Sequence, residues 1–406
     1  MESKITKITA EEIKDSRGNP TLKVTVWVGE KFGSFSVPSG ASTGAHEAHE
    51  LRDQDGKGVE TAIGKIENII APALVGQDVL NQKEIDRIML ELDGTANKDN
   101  LGGNAIIGVS IASAKAAAKV SKVEVYEHLR TLIEIKPSRH MPHLYINLIE
   151  GGKHARNDLV FQEYHIVTDT EDINEAVQMG ISVQDSLREI IGRELGEESL
   201  CPGDEGGLDP KTSDIRKPLL YLKEAIEKNN LGGKVKLALD VASSSFYING
   251  KYKVGGKEIT KDELLKIYFD LISEFGLLSI EDPFDEEDFE SFAKLKESEP
   301  DLVVIGDDLT VTNKILVEKA VRAGSIGGMI IKPNQIGTLS ETLETMRLAR
   351  EHDIELIVSH RSGETEDDFI ADLAYAFSCY GLKSGSPIKP ERMVKYQRLI
   401  AISKKV

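Results

Sequence analysis

Hydrophobic residues in the back two-thirds of the chain fall into six short runs, each closed on its C-terminal side by a polar, chemically capable residue. They are KLALD to Asp240, LLSIED with Glu281, LVVIGDD with Asp307, GMIIKPN with Lys332, ELIVSHRS with His360 and Arg361, and GLKSG with Lys383. Runs rich in Val, Ile and Leu without polar alternation suit strands buried on both faces, as in a parallel barrel, where chemistry gathers at the C-terminal rim. The stretches between them carry helix punctuation. Thr260 and Glu263 form a capping-box pattern ahead of Leu264, Leu265, Tyr268, Leu271, Ile272 and Phe275, and Gly276 ends the helix. Thr338 and Glu341 repeat the device, while Asn313 to Ala323 before Gly324 and Thr365 to Tyr380 before Gly381 read as further helices. Strand and helix alternating at this pitch predict a right-handed (β/α)8 barrel. An open doubly wound sheet would carry a Gly-rich phosphate fingerprint after an early strand, and none is found.

The first 136 residues follow another pattern. LKVTVWVGEKFGSFSVP predicts strand, turn, strand, and helices are expected over about 58–70, 82–92 and 102–129, the last with an Ala-, Ser- and Gly-rich face for close packing. Pro137 to Pro142 is the expected linker. Beyond it HLYINLI and DLVFQEYHIV predict two successive strands, then two helices over about 172–195 and 213–229, before the regular alternation starts. The fold class is therefore α/β: an N-terminal α+β domain (1–136), then a TIM-type barrel (137–406) with an atypical ββαα start. The length of 406 residues suits a barrel of roughly 250 residues plus a smaller domain.

Charge and composition narrow the partners. A formal net charge of −18 with no basic stripe disfavours nucleic acid and anionic membranes, so an anionic substrate requires locally concentrated positive charge. No apolar run approaches the roughly 18 residues of a membrane span, and the start MESKITKITAEEIKD lacks the apolar segment of a signal peptide; a cytoplasmic location is expected. Cys201 and Cys379 read as ordinary packed thiols, with their pairing left open.

Asp240, Glu281 and Asp307 on successive strand ends form an all-oxygen donor set suited to Mg²⁺ or Mn²⁺. Any one of them alone would be an ordinary loop acid or helix cap. Lys332, desolvated beside other cations, is expected to have a depressed pKa and to act as a base; an ion pair to a barrel acid is the alternative. Arg361 and Ser362 offer a fork and a hydroxyl for phosphate or carboxylate. The loop SVPSGASTG (Ser36–Gly44) reads as a lid presenting Ser42 or as a plain turn, and GDEGG brackets Asp204 and Glu205 with glycines. His154 lies on a loop and Glu163 on a strand.

DSRGNPT, SVPSGASTG, HEAHELRD, DGTANK, GGKHA, QEY, GDEGG, SIEDPF, DDLTVTN, KPNQIGTLSET, SHRSGETEDDFIADLA and PERMVKY run in order from Asp15 to Tyr396, and on them the chain resembles the enolase family over nearly its whole length. The resemblance implies a small phosphorylated acid, 2-phosphoglycerate, as substrate and two Mg²⁺ ions per site. It implies that Asp240, Glu281 and Asp307 hold the first ion and that Ser42 helps hold the second. Lys332 is then the base and Glu205 the acid, the latter kept partly protonated by Glu163. Arg361 and Ser362 hold phosphate, Lys383 the carboxylate, and His154, His360, Gln162 and Ser42 contact substrate. A homodimer is implied, or a larger ring built from it. Glu150 departs from the family's usual Asn and Arg156 from its Gly; with Asp158 these put extra charge near His154 that bears on substrate choice. A relative acting on another phosphorylated or sugar acid, and a binding protein without turnover, stay open on sequence alone.

Overall fold

The computed structural model describes residues 3–40 and 44–405. Strands β1 (Lys7–Lys14), β2 (Pro20–Val28) and β3 (Lys31–Ser36) form an antiparallel sheet in that order. Leu22, Val24, Val26 and Val28 alternate inward along β2 and are buried. The sheet takes the helix Gly103–Ser121 on this face at very short range. A Cβ on Gly33 would stand 2.2 Å from the Ala116 amide nitrogen, and one on Gly108 would stand 2.6 Å from Val24 Cγ2. The Ala- and Gly-rich face is thus what lets helix backbone and sheet touch.

Three expectations are corrected here. β1 was not predicted: KITAEEIK buries only Ile8 among its side chains and looks polar because it is a sheet edge. The helix expected over 102–129 is two helices. Lys122 turns left-handed (φ 60°), and a new helix, Val125–Leu132, starts from a capping box of Glu124 and Glu127, Glu124 N donating to Glu127 Oε2 at 2.8 Å. The helix expected over 365–380 spans only Phe369–Ala376. Thr365 and Asp367 are committed elsewhere: Thr365 Oγ1 donates to Ser36 O at 3.0 Å, and Lys115 Nζ donates to Asp367 at 2.7 and 2.8 Å.

β4 (His143–Glu150), β5 (Glu163–Thr168) and β6 (Val235–Asp240) open the barrel. A small hairpin sheet follows, β7 (Tyr247–Ile248), β8 (Lys251–Val254) and β9 (Lys257–Ile259), and then β10 (Ser279–Glu281), β11 (Val303–Gly306), β12 (Gly328–Ile331), β13 (Glu355–Ser359) and β14 (Gly381–Lys383) complete the barrel. It closes in the order β4-β5-β6-β10-β11-β12-β13-β14, with β14 returning to β4. β5 alone runs antiparallel to its neighbours, and the helices Ile173–Leu195 and Lys217–Lys228 follow it, giving the ββαα start. Tyr145, Val167, Ala238, Ile305, Ile330 and Ile357, one from each of six strands, fill the interior as a cluster separate from the layer under the helices. The caps at Thr260, Asn313 and Thr338 and the left-handed stops at Gly276 and Gly324 stand where the sequence puts them. Both cysteines are free thiols, Cys201 exposed and Cys379 buried. No helix among the described residues is long and apolar enough to cross a membrane.

The N-terminal sheet leans on the barrel rim through a short two-way pairing, Ser39 N to Gly363 O at 2.8 Å and Gly363 N to Ser39 O at 2.9 Å. Enlarging the sheet–helix contact is the direct test of that domain's packing. Gly33→Ala should lower stability by about 3 kcal/mol, because the added methyl meets main-chain atoms that cannot rotate away; a melting temperature equal to the parent's would contradict the close approach.

Candidate active site

Asp240, Glu281 and Lys383 end β6, β10 and β14, while Asp307, Lys332 and His360 follow β11, β12 and β13 by one residue or start the next turn. Glu163 reaches the same rim from the start of β5, because that strand is reversed. Loops bring His154 and Glu205. All are buried except Lys332, which is partly buried, and His154, Gln162, Glu205, Lys332, Arg361 and Lys383 are among the walls of one tight cavity of ≈ 20 Å³. Its charged and polar lining suits a charged ligand. A larger groove of ≈ 890 Å³ lies between the helices Gln82–Asp93 and Leu339–Glu351, away from these residues. Ser42 falls outside the described residues. Ser362 is buried on the cavity wall, its carbonyl accepting from Arg392 Nη2 at 2.8 Å.

Two lysines neutralise part of the rim. Lys383 Nζ lies 2.9 Å from Asp240 Oδ2, 2.9 Å from Glu281 Oε2 and 3.1 Å from Glu163 Oε2. Burial works to discharge it, but Asp240, Glu163 and Glu281 outweigh burial and hold its ammonium well above the usual range. Lys332 pairs with Asp307, whose other oxygen accepts from Gln335 Nε2 at 2.9 Å. The expectation of a depressed Lys332 is corrected: burial and the Arg361 and Lys383 cations do push it down, yet Asp307 prevails and its pKa is raised.

Negative charge still exceeds what the lysines compensate. Burial and Asp240 push Glu281 well above the carboxylate range, and burial with Asp307 pushes Asp308 up to about 8. Oxygens of Asp282, Asp307 and Asp308 also come within 4.8 Å of one another. Clustered carboxylate oxygens forced toward protonation fit a hard divalent cation. Asp282, which sequence reasoning passed over, organises this end of β11: from a left-handed backbone (φ 42°) it accepts the Asp307 amide at 2.9 Å and the Asp308 amide at 2.8 Å.

Glu205 sits among opposing influences. His360 Nε2 is 3.2 Å from its Oε2, Asn147 Nδ2 donates to the same oxygen at 3.1 Å, and His154 Nδ1 is 3.8 Å from Oε1. Burial and Glu163 favour the protonated acid as expected, but His360 and His154 outweigh them, and the carboxyl is held below its usual range. Glu163 is itself clasped by His165 at 2.7 Å and His154 at 3.2 Å. His154 is pushed up to about 9, burial opposing and Glu205 and Glu163 prevailing. Arg361 spans to the N-terminal domain, 2.9 Å from Glu47 Oε2 and 3.0 Å from Asn334 Oδ1. The Gln162 amide oxygen is buried with no hydrogen-bond partner among the described residues.

Sequence reasoning also missed Arg392, which has no exposed surface and donates to His360 Nδ1 and to the carbonyls of Arg361 (2.7 Å) and Ser362 (2.8 Å). It lay within a quoted motif, but nothing local linked it to strands far upstream.

A chain with a sheet-and-helix N-terminal unit and a polar cavity lined by carboxylates and lysines at the rim of an eight-stranded barrel has the architecture of a barrel enzyme. Comparison with known proteins gives the family: residues 138–406 match the model described as "Enolase, C-terminal TIM barrel domain" and residues 5–129 the model "Enolase, N-terminal domain". The chain is 46% identical over 408 residues to a protein named enolase from Methanocaldococcus jannaschii, covering 99% of this chain and 95% of that one. It is 45% identical over 410 residues to the enolase of Methanopyrus kandleri (98% and 95% covered) and 44% over 412 residues to that of Pyrococcus furiosus (99% and 95%). The chain belongs to the enolase family, whose members are phosphopyruvate hydratases, a class of lyase.

Arg392 can only donate, so Nδ1 of His360 must accept and its proton resides on Nε2, facing Glu205. Burial, with Arg392 and against Glu205, pushes His360 down to about 4. Nitrogen-15 shifts should therefore report a neutral ring protonated at Nε2 at pH 6, below the free imidazole value of about 6.5; an imidazolium at that pH would contradict the arrangement.

Proposed function

We propose that the chain catalyses the reversible dehydration of 2-phosphoglycerate to phosphoenolpyruvate, with Lys332 taking the proton alpha to the carboxylate and Glu205 protonating the departing 3-hydroxyl. The observation that carries this reading is that a lysine from β12 and a glutamate from the Gly203–Gly207 loop line the same small cavity, with Lys383 and Arg361 beside them. An alpha proton next to a carboxylate is very weakly acidic, so charge accumulating on that carboxylate must meet fixed cations. Lys383 supplies one from a desolvated position. Two Mg²⁺ ions, the first held by Asp240, Glu281 and Asp307 and the second with help from Ser42, would supply the rest by neutralising the substrate carboxylate and phosphate.

The two proton-moving groups each need a change of state. Lys332 can serve as a base only when the charge of Asp307 is committed elsewhere, since burial, Arg361 and Lys383 already favour its neutral form. Glu205 can serve as an acid when substrate engages His154 and His360, leaving burial and Glu163 to favour its protonated form. Arg361 and Ser362 would bind phosphate, with Glu47 giving up part of the guanidinium, and the lone Gln162 oxygen would accept from the substrate. The remaining assignments belong to the same reading: domains 1–136 and 137–406, a cytoplasmic setting, and a homodimer or a ring assembled from it.

Product absorbance with 2-phosphoglycerate and Mg²⁺ tests the activity directly: EDTA should abolish it and Mg²⁺ restore it, whereas full turnover after exhaustive chelation would exclude the metal assignment. Mutation separates the two steps. Lys332→Ala should lose both dehydration and exchange of the alpha proton with deuterated water, while Glu205→Gln should lose about 10²–10⁴-fold in dehydration and keep exchange. Exchange surviving in Lys332→Ala, or dehydration at parental rate in Glu205→Gln, would show the roles to be wrong.

A further inference from the structure

Glu150 ends β4 with no exposed surface, and its main chain is pinned on both sides. Its amide donates to Leu208 O at 2.9 Å, and its carbonyl accepts from Asn157 Nδ2 at 2.8 Å. From that fixed base the side chain passes under the loop Gly203–Gly207. Oε1 accepts the Gly207 amide at 2.6 Å, and the Glu205 amide lies 3.2 Å from each carboxyl oxygen.

The loop's glycines leave room for this occupant. Gly206 has a left-handed backbone (φ 95°), but Gly203 and Gly207 do not and have no conformational need to be glycine. A Cβ on Gly203 would fall 2.2 Å from Glu150 Oε2, and one on Gly207 3.0 Å from Oε1. A side chain at either glycine would meet the Glu150 carboxyl as well as main chain, His154 O at 2.9 Å for Gly203 and Leu148 C at 3.0 Å for Gly207, so the loop lies directly on the carboxyl.

We propose that Glu150 is a positioning residue for Glu205, holding the main-chain end of the proton donor while Asn147 and His360 hold its carboxyl end. The inference rests on the reading of Glu205 as the acid for the leaving hydroxyl. The charged groups facing Glu150 are Glu205 from the loop above, His154 from the loop that follows β4, and Glu163 from β5; burial and Glu205 together push its own carboxyl up to about 8. It thus sits under the acid largely without charge near neutrality, gripping the loop without adding a full negative charge beside Glu205. Lys332 is fixed by other contacts, its amide donating to Thr312 Oγ1 at 2.9 Å and its ammonium pairing with Asp307. Displacing Glu205 should therefore slow one proton transfer and spare the other.

The test measures dehydration of 2-phosphoglycerate with Mg²⁺ and alpha-proton exchange in deuterated water on the same preparations. Glu150→Ala should lower kcat for dehydration about 10²-fold, with KM and exchange kept within about threefold of the parent, since a misplacement of about 1 Å is enough to cost that much. Glu150→Gln, which keeps an acceptor oxygen under the two amides, should recover dehydration to within about tenfold of the parent. Dehydration and exchange falling in equal proportion in Glu150→Ala, dehydration at the parental rate, or no recovery in Glu150→Gln would each overturn the proposal. Should Glu150→Ala fail to fold, Glu150→Asp carries the test: one methylene shorter, it should show the same split, and parental rates of both processes would overturn the idea. A parent protein that cannot dehydrate 2-phosphoglycerate would sink the functional reading instead.

Discussion

An ammonium ion taken wholly out of water, within about 3 Å of three carboxylates, is the contact around which this barrel's rim is organised. Lys383 alone would be discharged by burial, and Glu163, Asp240 and Glu281 alone would repel one another in a medium too apolar to screen them. Together they hold the ends of β5, β6, β10 and β14 at one level. Removing one partner from such a cluster leaves an uncompensated buried charge, so the residues offering the chemistry also restrain the geometry of the strands that carry them. Asp307 with Lys332 repeats the arrangement on the next two strands.

The N-terminal domain enters the same electrostatic arrangement rather than merely covering it. Glu47 reaches over the rim to Arg361, and the pairing of Ser39 with Gly363 fixes that approach. Asp15 accepts from Ser39 Oγ at 2.8 Å, and Gly363 leaves room for both, since a Cβ there would stand 2.4 Å from Asp15 Oδ2. Arg361 is thereby held by a residue of one domain while its strand belongs to the other. On the proposed reading of Arg361 as a phosphate holder, substrate affinity and domain docking share that side chain.

What could be read from the chain followed from how far each signal travels. A buried strand that ends in a charged residue is visible locally, so Asp240, Glu281, Asp307, Lys332 and Lys383 were legible, as were the helix caps at Thr260, Asn313 and Thr338. β1 was hidden because an edge strand with one wet face imitates a polar loop. The break at Lys122 was hidden because the cap that restarts the helix uses Glu124, an unusual residue for the position. Thr365 and Asp367 look helical until Ser36 and Lys115, hundreds of residues away, claim them. Asp282 and Arg392 escaped for the same reason, since each acts on a partner supplied by another strand or loop, and Glu150 stood out only as a departure from the family's Asn, its hold on the Glu205 loop unseen. The state of Lys332 was misjudged because neighbouring cations were given more weight than the alternative, an ion pair to a barrel acid, which the structure supplies as Asp307.

The reversed strand β5 has a consequence for how the molecule is assembled. Its pairings with β4 and β6 join neighbours in sequence, whereas β14 meets β4 only when the two ends of the barrel come together, a long-range closure of the kind that forms slowly. Until that seam shuts, Glu163, Asp240 and Glu281 lack Lys383 and confront one another uncompensated. Circularisation of the sheet and quenching of this charge are one event. A barrel left open at its seam is therefore strained at the very rim where substrate would enter, which couples completion of the fold to competence of the site.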